Sequence, residues 1–211
     1  MKLRFMEWIA NVSLWLNLPR KRRSKVSDMG YEVAINKAWD ELANVNSGKE
    51  LSVKFLSDEY TIDLGGRRVI SLSCNIPAKD FTSILILHYL VSKLKGLPPL
   101  TGVWLTFREL SGIEGYYPAF RSRAIEPVIR KYGGNPEGIY SALERFAGKR
   151  IEEADSGVVL EAFAGVPVRI CLWRKDEEFA AEANIYFDKS ITQIFCTEDI
   201  VVLAGFVAAK I

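Results

Sequence analysis

Phe5, Trp8, Ile9, Val12, Trp15 and Leu16 recur at intervals of three and four residues, with Glu7, Asn11 and Asn17 on the other side. That spacing predicts an amphipathic helix, ended by Pro19 and followed by the basic run "PRKRRSK". A second helical stripe begins at Met29, carried by Tyr31, Ala34, Ile35, Ala38 and Leu42, with Trp39 beside it. The period then shortens to two in "LSVKFL", "EYTIDL" and "RVISLSC", which predicts three strands. Gly65 and Gly66 fit a hairpin turn between the last two, because glycine tolerates positive φ. Asp80 should cap the helix "FTSILILHYLVSKLKG", whose apolar residues go nearly all round it and predict a central, buried position. Pro98 and Pro99 stop it before the strand "GVWLTF". Pro118 suits a helix start, Pro127 a kink, and Gly148 a C-cap for "IYSALERFAG". Strands "GVVLEAF", "VPVRICLW" and "AEANIYF" follow, and Thr197 should cap the closing helix "EDIVVLAGFVAAKI". This order predicts an α+β fold: a mostly antiparallel sheet packed against helices, with an N-terminal amphipathic helical arm. The arm occupies residues 1–28 and a single domain residues 29–211.

Charge sharpens that division. Residues 1–28 hold seven Lys/Arg and two acids, a net of +5, so the overall +2 leaves the body at −3. From Ile151 onward there are eleven acids against five bases, which argues against nucleic acid as a partner. The arm, with Trp8 and Trp15 beside its cations, reads as a helix that docks on its own body, on a second copy of the chain or on a partner protein, hiding both tryptophans from water. An anionic membrane surface is the weaker alternative, held by residues 1–28 as a peripheral anchor. The apolar stretch falls short of the ~20 residues of a membrane span. Glu7 and Asn11 also interrupt it, which argues against a secretory leader. Cys74, Cys171 and Cys196 are odd in number and far apart, so they read as reduced thiols of a cytoplasmic protein. With no CxxC pair and His88 as the one histidine, no metal site and no cofactor are expected. Gln193, the sole glutamine, hints at a thermophilic source.

Three stretches carry a resemblance: "VWLTFRELSGIEGYYPAFRSRAIEP" (103–127), "PVRICLWRKDEEFAAEANIYFDKSI" (167–191) and "CTEDIVVLAGF" (196–206). Together they resemble an uncharacterised family of bacterial and archaeal proteins, number 3786 among the domains of unknown function, over about residues 29–211. The resemblance implies a shared fold and no established activity. Some relatives carry extra cysteines suggestive of an iron–sulfur cluster; this chain has no such run.

The run 105–123, "LTFRELSGIEGYYPAFRSR", gathers most of the candidate chemistry at one strand-to-helix crossing. Gly112 and Gly115 permit a sharp turn there. Arg108 and Arg121 can fork onto a carboxylate or phosphate, and Tyr116 and Tyr117 can wall a flat ligand. The plain alternative is a packed loop, with Arg108 paired to an acid of the last third and both tyrosines over the core. Asp176, Glu177, Glu178, Glu182, Asp188, Glu198 and Asp199 form the acidic set. Individually they read as structural: Asp188 as a cap, Glu198 and Asp199 as first-turn charge on a helix, and "RKDEE" as a solvated hairpin tip. His88 reads as a satisfied core residue, and Cys171, Cys196, Trp104 and Trp173 as packing. The function is therefore open in the sequence. The first expectation is a module binding a partner protein or a small acidic ligand near residues 105–123. The runner-up is an enzyme using Glu109, Glu178 or Asp188 as base or divalent-metal ligand.

Overall fold

The computed structural model describes residues 23–211 except 49 and 114, so the helix expected before Pro19 and its docking lie outside the described residues. Helix α1 spans Arg23–Val45 and starts ahead of Met29, where the sequence pattern places its beginning. Its Ala38, Trp39 and Leu42 are buried, as the stripe predicts.

Strands β1 (Leu51–Phe55), β2 (Asp58–Asp63), β3 (Arg68–Ser71) and β4 (Ile76–Pro77) form one antiparallel meander. In β1, Val53 and Phe55 point inward and Ser52 and Lys54 outward, the period-two arrangement of a half-buried strand. The β2–β3 hairpin forms where Gly65 and Gly66 lie, but Arg67 is the residue with left-handed φ, at 48°. Gly66 is needed for room instead: a Cβ there would sit 2.5 Å from Asp63 Oδ2, whose partner oxygen accepts the Gly66 N–H.

Helix α2 (Asp80–Lys95) follows and is buried from Thr82 to Leu87 and again from Tyr89 to Val91, the central position its composition predicts. Lys79, not Asp80, is its N-cap, and Asp80 contributes charge to the first turn. The second sheet comprises β5 (Trp104–Thr106), β6 (Gly148–Ile151), β7 (Ser156–Phe163), β8 (Val166–Trp173) and β9 (Glu182–Asp188). Its order is β5-β9-β8-β7-β6, all antiparallel. The fold is thus α+β as expected, with the antiparallel strands shared between two sheets.

The sheets are joined where Leu56, at φ 54°, donates its N–H to Ala162 O at 2.8 Å. A left-handed leucine costs about 1–2 kcal/mol, which the burial of its side chain at 5% exposure offsets. Beside it an aromatic column crosses the molecule. Phe163 stacks on Phe55 of the first sheet at 4.4 Å and on Tyr89 of α2 at 4.3 Å.

The middle of the chain departs most from expectation. Short helices α3 (Tyr117–Phe120) and α4 (Glu126–Tyr132) flank a π-helical turn, Arg121–Ile125. Pro127 has no N–H to continue an α-helical ladder, and the turn before it widens so that Glu126 N donates to Arg121 O. Pro136–Glu144 is a 3-10 helix, and Gly148 opens β6 instead of capping a helix. Gly148 lies so close to β7 that a Cβ would meet Val159 O at 2.2 Å. Helix α5 (Thr197–Lys210) closes the chain against the π turn, with Gly205 facing Arg123.

Candidate functional site

The crossing from strand to helix is built on β5 and on a capped 3-10 turn, Phe107–Glu109. Glu109 Oε2 accepts both the backbone N–H and the hydroxyl of Thr106 at 2.7 Å, and those bonds lower its pKa. Gly112 and Gly115 take φ of +72° and +85°, the sharp turns the sequence predicts. Phe107 stacks on Phe120 at 4.2 Å and pins the corner to the core.

The two tyrosines then separate in role. Tyr116 is buried, and its hydroxyl donates to Glu198 Oε1 in the first turn of α5. Burial and that carboxylate both raise its pKa, so it is a strut that keeps its proton. Tyr117 is half-buried and carries the exposed Arg108 guanidinium 4.1 Å from its ring centroid. The packed-loop alternative pairs Arg108 with an acid of the last third; among the described residues it makes no such ion pair. The aromatic face of Tyr117 is brought to it within the same corner, and a stacked guanidinium needs no counter-ion. It is a tyrosine, Tyr116, that joins the corner to the late acids. Arg121 turns to its local neighbour Glu126 at 3.3 Å.

The first turn of α5 gathers a second set. Cys196 is the N-cap in place of Thr197, and forms a capping box with Asp199. Asp199 Oδ2 accepts from the Cys196 N–H at 3.3 Å and from its thiol at 3.2 Å. The same oxygen lies 2.8 Å from His88 Nδ1 of α2. Thr197 is freed to reach back, its hydroxyl donating to Ser111 O at 3.4 Å. Cys196 is exposed as a residue, but desolvation of its thiol against α5 and the charges of Asp199 and Glu198 raise its pKa, the opposite of what a thiolate nucleophile requires. We expect Cys196→Ser to keep the stability within about 0.5 kcal/mol and Cys196→Ala to lose about 1 kcal/mol, measured by urea unfolding. Equal losses in both variants would remove the capping role.

The remaining candidates stand apart. Asp188 is buried and accepts from Thr101 N and Oγ1, Gly102 N and Ser190 N, so its oxygens are occupied by the fold, the capping role that the sequence suggests. Glu178 is exposed in the loop between β8 and β9 and donates its N–H to Asp176, within the solvated tip expected there. Glu109, Glu178 and Asp188 share no hydrogen-bond partner. Among the described residues no group of three or more His, Cys, Asp or Glu is disposed to hold a metal ion. No described helix is long and apolar enough to cross a membrane. The pairing of His88 with Asp199 was not foreseen. Its signal in sequence is slight: a histidine in an apolar helix, and "TED" at a distant helix start. Trp104 is half-buried rather than core, and Arg169 lies 4.2 Å over its ring.

Neither a curated protein nor a solved structure matches the chain. The model of a domain of unknown function, DUF3786, matches residues 38–210, from within α1 to the end of α5. The match takes in the corner, the Asp188 staple and the α5 turn alike, and the chain belongs to the DUF3786 family.

Proposed function

We propose that this protein is a binding module that receives an acidic group, on a partner protein or a small ligand, at the Arg108–Tyr117 platform. The observation that carries this is the exposed Arg108 guanidinium, laid on Tyr117 and without a carboxylate among the described residues. Stacking holds the planar fork still and leaves its N–H edge for a bidentate anion, so little ordering is lost on binding. Leu100 and Val103, more than half and half exposed, precede the corner and suit a partner's apolar surface beside its acid. Three free cysteines fit a reducing compartment, and we place the module in the cytoplasm.

The test is an NMR titration of the full chain with succinate, read at the Arg108 Nε–H. Saturable shifts at Arg108 and Tyr117 are expected. Arg108→Lys should weaken binding at least about tenfold, since a lysine offers no fork. Arg121→Lys should change it little. An Arg108 signal that does not move, or an Arg108→Lys variant that binds equally well, would end this reading.

A further inference from the structure

We propose that the Arg108 corner is linked to a proton on His88, with the first turn of α5 as the connecting part. The link rests on the binding reading of that corner. Three successive residues of one helical turn hold the corner at two points and α2 at a third. Thr197 bonds the corner loop at Ser111 O, Glu198 accepts the Tyr116 hydroxyl, and Asp199 holds His88 of α2. Successive helical residues advance by about 1.5 Å on a rigid, hydrogen-bonded path. A change in the His88–Asp199 contact therefore moves Glu198 and Thr197 with it. Tyr116, which Glu198 grips, is the residue next to the platform ring of Tyr117.

His88 is placed to deliver such a change. Its side chain is 29% exposed, so protons reach it, while Asp199 is 8% exposed and keeps the pair out of bulk water. Among the described residues, the charged groups bearing on the ring are Asp199 from α5, and Glu41 and Lys37 from α1. Burial works against protonation, but the Asp199 hydrogen bond and charge, with Glu41, outweigh it and Lys37, and raise the pKa. A raised histidine pKa contributes stability that is fully present below about 6.5 and is lost as pH rises through the higher folded value. At low pH the turn is held by an ion pair, and at high pH by a weaker hydrogen bond from the uncharged ring to the carboxylate. By reciprocity, anything the turn does to the corner appears in ligand affinity over the same pH range.

His88 is the sole histidine, so its ring proton reports its titration unambiguously in the full chain. The probe is sulfate, whose charge is constant above pH 5. From pH 5.5 to 9, the amides of Ser111, Tyr116 and Tyr117 should move with the midpoint of the His88 ring. Sulfate affinity at Arg108 should fall about fivefold through that midpoint, the low end of usual coupling. His88→Asn should abolish both effects. Tyr116→Phe, which cuts the contact with Glu198 and spares that of Thr197 with Ser111, should leave the His88 midpoint in place while the Tyr116 and Tyr117 amides and the affinity lose their pH dependence. Corner amides that stay still while the ring titrates, or an unchanged pH dependence in Tyr116→Phe, overturn the link. Sulfate that binds at no pH overturns the binding reading, and the amides then decide the transmission alone.

Discussion

Phe163→Ala should lower the unfolding free energy by about 4 kcal/mol, the largest single-residue loss expected in this molecule. Phe163 is 1% exposed and lies between Phe55 and Tyr89, with its ring within 15° of parallel to each. Phe195 approaches from a further side at 6.0 Å. Removing the ring forfeits its transfer free energy and opens a cavity lined by the first sheet, α2 and the segment at Phe195 that precedes α5. These are tied elsewhere by hydrogen bonds such as Leu56 N to Ala162 O, so they collapse poorly. A register shift between Glu161 and Phe163 lets consecutive Ala162 and Phe163 both face inward. Phe163→Leu keeps most of the volume and should cost about 1–1.5 kcal/mol. Urea unfolding of both variants settles the matter, and a midpoint unmoved by alanine would mean the column carries no load.

Asp188→Ala comes next, at about 3 kcal/mol or more. The carboxylate, 3% exposed, collects four donors from the loop 101–102 and from Ser190. Alanine would leave the buried Ser190 N–H without a partner, at about 1–3 kcal/mol, and would release the part-buried Thr101 and Gly102 donors that hold the loop to β9. Asp188→Asn retains one acceptor oxygen and should lose roughly half as much. Burial raises the Asp188 pKa, but the Ser190 and Thr101 hydrogen bonds more than reverse this and hold it at about 2. A depressed carboxylate pKa contributes stability above the unfolded value near 3.9, lost as pH falls through the folded one. The advantage of wild type over Asp188→Asn should therefore be constant at neutral pH and shrink between about pH 4 and 2. An advantage that persists undiminished at pH 2 would contradict the assignment.

Asp188 also shows how function and scaffold look alike in a sequence. An acid after a β-strand and before "KS" reads equally as a base or as a cap. The difference lies in residues 101 and 102, which the fold brings to it from across β5. The tyrosine pair makes the same point. Adjacent in the chain, Tyr116 and Tyr117 point in different directions because one begins a helix and the other precedes it. One became a buried strut to Glu198 and the other a surface platform for Arg108. Arg108 itself was drawn to its neighbouring ring, a contact within the corner that outcompeted the distant acids.

Periodicity alone carried the α+β class, helices α2 and α5, and the strands β1–β3 and β7–β9. These depend on burial along a local repeat, which is written in consecutive residues. Only the folded chain decided the division into two sheets, the π turn, Gly148 as a strand residue and Cys196 as a cap. The same holds for the pairing of His88 with Asp199 across 111 residues. Each of these turns on space and partners supplied by remote segments, where one missing Cβ or one opposed carboxylate sets the outcome and no local pattern records it.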